Sequence, residues 1–276
     1  MEIPSGVRDT LSRALEEDVG SGDITSSLLI PEGHVSTSRY FAKETFVLAG
    51  LPFAREVYRI MDPAIRWKSF VAEGSRLRNG DIIAEISGNT RAILGGERVS
   101  LNILQRLSGI ATLTSLFVDR VREFGTKIVD TRKTAPCHRF MEKYAVRIGG
   151  GHNHRFGLFD GILIKDNHIK AVGDIAEAVR RAQGHHLTKI EVEVSSLSDL
   201  EAAIEAGADI VMLDNMTVDE MRNAVSLAAK RVLLEASGGV TLENIRAVAA
   251  TGVDLISVGA LTHSAPAADI SLKTVS

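Results

Sequence analysis

The segment from Asp130 to Ile169 carries the densest set of side chains that could do chemistry. It contains seven Lys or Arg residues, four Asp or Glu residues and four of the eight His residues, although the whole chain has a formal net charge of -3. The cations stand singly between apolar residues and glycines, which predicts that several elements bring them to one pocket. A locally basic segment in a mildly acidic protein indicates a small anionic ligand and argues against nucleic acid as a partner.

Within this segment, Arg132 and Lys133 directly follow a short apolar run that is typical of a buried strand. The guanidinium of an arginine can bind a carboxylate or a phosphate through two parallel hydrogen bonds. His154, Arg155 and Lys165 supply further donors downstream. We interpret the five residues as a clamp for an anion; the alternative for Arg132 and Lys133 is a solvated loop.

Glycine-rich stretches offer bare main-chain donors for anions. Three consecutive glycines, residues 149–151, precede the His154 region, and a glycine run lets the backbone approach an anion closely. Small residues near a helix N-terminus can seat a phosphate, and barrels often place that seat after their last two strands. The candidate seat consists of small residues at two successive strand ends: Ser237, Gly238, Gly239, Ser257, Val258 and Gly259.

Two acidic residues, Glu193 and Asp214, end two consecutive predicted strands. Carboxylates at such positions can hold a Mg²⁺–phosphate complex or the hydroxyl groups of a ribose. The alternative is an ion pair with the basic residues, and both arrangements can occur in one enzyme.

Other chemistries remain open from the residues alone. Lys133 or Lys165 could form a Schiff base, as in barrel aldolases, because cationic neighbours favour a neutral amine. The same cations would also suit a protein that only binds an anion.

A zinc site is a further alternative, with Cys137, His138, His152 and His154 as ligands. Structural zinc sites show two paired ligand clusters, however, and here the many basic residues would repel a cation. We regard a zinc site as the weaker interpretation.

From residue 127 onward, short apolar runs alternate with helical stretches, a pattern that predicts a parallel sheet covered by helices. The predicted strands are KIVDT, GILIKD, KIEVEV, DIVMLD, RVLLEAS and DLISVGA. The predicted helices between the later strands are DIAEAVRRAQ, LSDLEAAIEAG, TVDEMRNAVSLAAK and TLENIRAVAATG. Six strands are fewer than the eight of a regular barrel, so we expect an open, irregular α/β barrel.

The N-terminal part predicts a separate α/β domain. Val7, Leu11, Ala14 and Leu15 share one helical face, and residues 37–87 are β-rich. Residues 97–124 predict one or two long helices with a kink at Ser108 and Gly109. We therefore divide the chain of 276 residues into domains 1–110 and 111–276, and the last residues can pack back on the first domain. A single Cys, no secretory signal and no apolar run of membrane-spanning length predict a cytoplasmic protein.

The ordered motifs resemble the quinolinate phosphoribosyltransferase family over nearly the whole chain. The motifs that carry the resemblance are EDVGSGDIT, ERVSLNILQRLSGIAT, DTRKTAPCHRFMEKYAVRIGGGHNHRFGL, LIKDNHI, VEV, IVMLDN, EASGG and DLISVGALTHSAPAADISL. The resemblance implies an N-terminal α/β sandwich, a C-terminal open barrel, and transfer of a phosphoribosyl group to quinolinate with decarboxylation. It also implies Mg²⁺ and a homodimer, with assembly beyond the dimer left open.

By the same resemblance, each expected site residue has a role. Arg98 would reach the partner's site; Arg132, His154, Arg155 and Lys165 would hold the quinolinate carboxylates; and Lys133 would lie beside the pyrophosphate and the ring. Thr131 is a further expected substrate-binding residue. Glu193 and Asp214 would bind the ribose hydroxyls and Mg²⁺, and the seat at 237–239 and 257–259 would hold the 5′-phosphate. The expected catalytic residues are Lys133, Lys165, Glu193 and Asp214.

Overall fold

The computed structural model describes residues 2–184 and 188–275. The chain divides into two compact units. The first unit contains the residues up to 115, residues 134–150 and the residues from 262 onward; the second contains residues 116–133 and 151–261. The grouping of the last residues with the first unit was expected, whereas residues 134–150 belong to the first unit although they lie beyond a cut at residue 110.

The strands, in chain order, are β1 (Val35–Ala42), β2 (Phe46–Val47), β3 (Arg66–Ser69), β4 (Arg76–Leu77), β5 (Ile82–Asn89), β6 (Lys127–Val129), β7 (Ile162–Ile164), β8 (Ile190–Val194), β9 (Ile210–Asp214), β10 (Leu233–Ser237), β11 (Leu255–Ser257) and β12 (Ile270–Thr274). The helices are α1 (Ser5–Val19), α2 (Ile24–Leu29), α3 (Leu51–Met61), α4 (Thr90–Val121), α5 (Arg139–Ile148), α6 (Asp166–Val172), α7 (Ile175–Ala182), α8 (Leu197–Glu205), α9 (Val218–Ala228), α10 (Ile245–Ala249) and α11 (Ala260–His263).

The first unit is built on an antiparallel sheet with the strand order β12-β1-β5-β3. Side chains of β1 alternate between buried and less buried positions, as expected for a strand with one face on the core. Tyr40 of β1, Tyr58 of α3 and Leu104 of α4 belong to this core. Helices on an antiparallel sheet give the α/β sandwich that the family resemblance implies.

Helix α3 corrects the interpretation of residues 37–87 as simply β-rich. This stretch contains β-formers such as Val57, Tyr58 and Ile60, but its buried positions follow helical spacing: Phe53, Ala54, Val57 and Tyr58. Proline lies at the start of the helix, where its missing N–H costs nothing. The 3.6-residue period therefore overrides β-propensity in this segment.

Helix α4 is a single helix that starts at Thr90, seven residues before the predicted start at 97. A Cβ atom at Gly109 would lie 1.9 Å from the main-chain oxygen of Pro266. Gly109 therefore allows two segments of the first unit to approach closely. The sequence suggested a kink at this glycine, but not this close contact.

The region 90–124 also corrects the expectation that no apolar run reaches membrane-spanning length. By length and composition alone, this helix could cross a membrane. Half of its apolar window is buried inside the protein, and Leu104 and Ile110 are fully buried. Such burial is typical of the core helix of a globular fold.

The second unit contains a parallel sheet with the strand order β6-β11-β10-β9-β8-β7, which confirms all six predicted strands. Strands β6 and β7 lie at the two edges, and His152 adds one isolated parallel bridge to Val129 of β6. The fold is the predicted open, irregular barrel. The last predicted helix is shorter than expected, because α10 begins only at Ile245.

Candidate active site

The parallel strands of the second unit direct their carboxyl ends to the same edge of the sheet. In barrels of this kind the active-site residues lie at that edge. Five predicted site residues stand at or directly after these ends: Lys165 after β7, Glu193 in β8, Asp214 and Ser237 at the ends of β9 and β10, and Ser257 at the end of β11. The order of the strands therefore gathers residues that are far apart in the chain.

Two arginines of the predicted clamp lie near each other. Burial lowers the pKa of the Arg155 guanidinium, and the charge of Arg132 lowers that pKa further. Arg155 Nη1 also donates to the main-chain oxygen of Gly161 at 3.1 Å. Two partly buried guanidiniums that repel each other form a place where an anion is stabilised.

Lys165 and Glu193 form an ion pair across the neighbouring strands β7 and β8, with Lys165 Nζ donating to Glu193 Oε2. A Schiff-base lysine reacts as a neutral amine, whereas this arrangement holds an ammonium group against a carboxylate. Lys133 is exposed, and its main-chain N–H donates to Thr131 Oγ1 at 3.0 Å.

Asp214 is fixed by its neighbour in the chain. Asn215 Nδ2 donates to Asp214 Oδ2 at 2.9 Å, and Asn215 itself has a positive φ of 54°. A Cβ atom at Gly238 would lie 2.2 Å from Asn215 Oδ1, so only glycine allows this approach. The strand-end position of Asn215 was visible in the sequence, but its packing against Gly238 was not.

The predicted phosphate seat is only partly open. Gly238 and Gly239 are exposed and have positive φ values of 95° and 59°. Ser257 and Val258 are buried, and Ser257 Oγ donates to the main-chain oxygen of Ala236 at 3.4 Å. Of the six residues of the predicted seat, Gly238 and Gly239 are therefore the most exposed, and Ser237 and Gly259 are half-buried.

Three buried acids near these cations have no assigned role in the sequence-based site: Asp130, Glu191 and Glu235 are 0%, 4% and 0% exposed. Burial raises the pKa of Glu235 to about 7, and the charge of Glu191 adds to the effect. The signal for Glu191 was the alternation in IEVEV, which places Glu191 and Glu193 on the same face of β8.

His154 lies between two of these acids, with Nε2 at 2.8 Å from Glu191 Oε2 and at 3.7 Å from Glu235 Oε2. Among residues 2–184 and 188–275, this is the group whose atoms are close enough to hold a metal ion, within 4.8 Å of one another. It includes none of Cys137, His138 and His152, three of the four ligands considered for zinc.

Arg98 belongs to the first unit and is exposed on α4. It lines a hollow of about 280 Å³ with Glu17 and Asp18 of α1 and with Arg106 and His138. Arg106 in turn binds the fully buried Glu142 of α5 through Nε at 2.8 Å. Arg98 is therefore an exposed cation at a hollow of the first unit that has both polar and apolar walls.

A barrel with cations and acids at the carboxyl ends of its strands defines the class of α/β-barrel enzymes that act on anionic substrates. Two family descriptions match the chain: "Quinolinate phosphoribosyl transferase, N-terminal domain" over residues 23–108 and the corresponding "C-terminal domain" over residues 110–273. The chain belongs to this family, as the motifs indicated.

The names of similar proteins agree with this family assignment. The chain is 44% identical over 268 residues to a probable nicotinate-nucleotide pyrophosphorylase [carboxylating] of Bacillus subtilis (strain 168), covering 96% of this chain and 92% of the relative. It is 44% identical over 275 residues to the nicotinate-nucleotide pyrophosphorylase [carboxylating] of Mycobacterium leprae (strain TN), covering 96% of both. The solved structure of the nicotinate-nucleotide pyrophosphorylase from Francisella tularensis matches with a TM-score of 0.95 and 43% identity, covering 99% of this chain and 98% of the other.

Proposed function

We propose that this chain transfers the phosphoribosyl group of phosphoribosyl pyrophosphate to quinolinate with loss of CO₂. The products are nicotinate mononucleotide, pyrophosphate and CO₂, and the reaction is a step in NAD biosynthesis de novo. The family and the names of the relatives support this assignment.

The observation that carries the proposal is the convergence of Arg155 and Arg132 in the second unit. The charge of Arg132 disfavours the charge of Arg155, so the pair is best stabilised by a ligand with more than one negative charge. Quinolinate carries two adjacent carboxylates, and a guanidinium can bind a carboxylate through two parallel hydrogen bonds. Lys165, directly after β7, supplies a third cation in the second unit. Its charge acts on the buried Glu235 of β10.

The reaction needs positioning and charge more than a covalent catalyst. The ring nitrogen of quinolinate attacks the anomeric carbon of the ribose while the bond to pyrophosphate breaks and its electron pair leaves with the pyrophosphate. Positive charge develops on the ribose, and Glu193 and Asp214 would stabilise it. The product nitrogen is a cationic pyridinium; it withdraws the electron pair left at C2 when CO₂ departs, and that carbon then takes up a proton.

Mg²⁺ is part of the proposal. Glu193 and Asp214 offer hard carboxylate oxygens at the ends of the adjacent strands β8 and β9, which suits Mg²⁺. Both carboxylates already have protein partners, Lys165 and Asn215, so they fit an ion that is held mainly through phosphate oxygens. When bound, the ion would neutralise charge on the departing pyrophosphate.

We also propose a homodimer in a reducing, cytoplasmic compartment. Large apolar side chains are exposed on α2, where Ile24, Leu28 and Leu29 are 75%, 79% and 72% exposed. In the second unit, Leu158 and Phe159 are 75% and 82% exposed. Contiguous exposed apolar residues are typical of protein interfaces, which supports the homodimer. Cys137 is a free, exposed thiol, which suits a reducing compartment.

The direct test is product formation by the purified protein with quinolinate, phosphoribosyl pyrophosphate and Mg²⁺. We expect pyrophosphate and CO₂ to appear in equal amounts, and we expect chelation of the metal to stop both. Binding of phosphoribosyl pyrophosphate without any pyrophosphate release would instead support a protein that only binds anions. Trapping of a carbonyl substrate by borohydride would support the aldolase.

A further inference from the structure

The imidazole of His154 has a hydrogen-bond partner at each ring nitrogen. The main-chain N–H of Arg155 donates to Nδ1 at 2.8 Å, and Nε2 lies 2.8 Å from Glu191 Oε2. A ring nitrogen that accepts from an N–H carries no proton, so the proton is on Nε2 and is donated to Glu191. In this arrangement the ring is neutral, and neither nitrogen is directed at a substrate.

A second buried acid holds the same segment from its main chain. The N–H of His154 donates to Asp130 Oδ1 at 2.9 Å, and Asn153 Nδ2 donates to Asp130 Oδ2 at 2.5 Å. Asp130 directly follows β6, and Glu191 lies in β8, so two strands of the barrel fix residues 153–155. Arg155 continues from this fixed point.

These acids are unsuited to contact an anionic substrate themselves. Asp130 and Glu191 are buried and would repel a carboxylate. Their hydrogen bonds instead run to the segment that presents Arg155, and the charge of Glu191 also acts on the Arg155 guanidinium. Second-layer acids of this kind orient the groups that bind the ligand.

We infer that Asp130, Glu191 and His154 are positioning residues, which fix the main chain at Arg155 and so aim its guanidinium at the substrate. His154 acts through its neutral ring and does not bind a quinolinate carboxylate as an imidazolium. The inference rests on the proposed function only in naming quinolinate as the ligand of Arg155.

The same hydrogen bonds decide against a metal ion between His154, Glu191 and Glu235. A histidine that binds a metal through one nitrogen normally donates a proton from the other. At His154 the other nitrogen, Nδ1, accepts a hydrogen bond, so Nε2 must keep its proton. The carboxylates of Glu191 and Glu235 therefore face the N–H group of His154 and not a nitrogen that could bind a metal ion.

The state of the ring can be measured without any turnover. We propose ¹⁵N NMR of the full-length protein labelled at histidine, with the His154 signals assigned by their loss in His154→Asn. We expect a directly bonded proton at Nε2 and none at Nδ1, in the free protein, with quinolinate, and after addition of Zn²⁺. Protons on both nitrogens with quinolinate, or loss of the Nε2 proton with Zn²⁺, would overturn the inference.

Kinetics test the positioning role. Glu191→Ala removes one hydrogen bond and should raise KM for quinolinate about tenfold, while KM for phosphoribosyl pyrophosphate stays unchanged. Glu191→Gln keeps an acceptor for Nε2–H and should recover most of this loss, and Glu201→Ala on the exposed face of α8 is the matched control. Equal KM values for quinolinate in wild type and Glu191→Ala would refute the role. If the wild type released no pyrophosphate, the proposed function would fail, but the NMR result would stand.

Discussion

Arg155 is a partly buried cation beside the second cation Arg132, and this placement makes it the most informative residue to change. Breaking a buried charge-assisted pair costs about 2–5 kcal/mol. Arg155→Ala should therefore lower kcat/KM for quinolinate by roughly thirtyfold or more. Arg155→Lys keeps the charge but cannot form two parallel hydrogen bonds to one carboxylate. Its kcat/KM for quinolinate should lie between those of wild type and Arg155→Ala. The control is Arg222→Ala, an exposed arginine of α9 that pairs with Asp219. Steady-state kinetics with unchanged constants for Arg155→Ala would remove Arg155 from the site.

Glu235 gives a pH dependence with a defined sign. Burial raises its pKa from 4.5 to about 7 in the folded protein. The folded state therefore favours the protonated carboxyl, and the stability that this group contributes is lost as pH rises from about 4.5 to about 7.

Glu235→Gln removes this titration. Its free energy of unfolding relative to wild type should increase with pH over the same window, by on the order of 1–3 kcal/mol. Urea denaturation of both proteins at several pH values measures the difference. A difference that is constant with pH would mean that Glu235 ionises as readily in the folded chain as in the unfolded one.

The residues that sequence analysis could place are those at strand ends, because a strand end fixes the edge to which a side chain belongs. Lys165 and Glu193 are brought together in this way. Asp130 lies at a strand end and Glu191 lies within a strand, but neither was given a role, because that role depends on hydrogen bonds to residues 153–155. The binding and catalytic roles of all the predicted site residues stay predictions.

At the scale of elements, close contact of α4 with the segment around Pro266 requires Gly109. Gly109→Ala places a Cβ against a main-chain oxygen and should destabilise the protein by about 2–4 kcal/mol. Gly6→Ala in α1 is the matched control, because nothing lies within 4 Å of its Cβ position; it should be neutral or stabilising by up to about 1 kcal/mol. Thermal unfolding of both variants checks this. A Gly109→Ala protein as stable as wild type would show that the two segments can separate.

The six strands of the barrel were predictable because parallel strands covered on both faces are short continuous apolar runs. Helix α3 was not, since its eleven residues mix β-formers with helical spacing inside a stretch that otherwise forms strands. The boundaries of α4 and α10 also differed from the predicted ones, because packing within each unit decides where a helix starts.

At the scale of the whole molecule, the dimer follows from the family resemblance and not from the strand and helix pattern. If Arg98 completes the partner's site, a hybrid dimer of inactive Arg98→Ala and inactive Arg132→Ala has one intact site of two. Because half of the dimers are hybrids after equal mixing, the mixture should regain about a quarter of the wild-type activity. Subunit exchange is checked with differently tagged chains. Hybrids that form but remain inactive at every mixing ratio would contradict a shared site.

The central claim is that cations in the barrel recognise a ligand with two adjacent carboxylates. Its most direct test is the ratio of kcat/KM for quinolinate to that for nicotinate, which has one carboxylate, measured by pyrophosphate release at one concentration of phosphoribosyl pyrophosphate. Loss of one buried charge pair, about 2–5 kcal/mol, predicts a ratio of at least about thirty in favour of quinolinate. A ratio near one would show that the second carboxylate is not recognised, and the account of the site would be wrong.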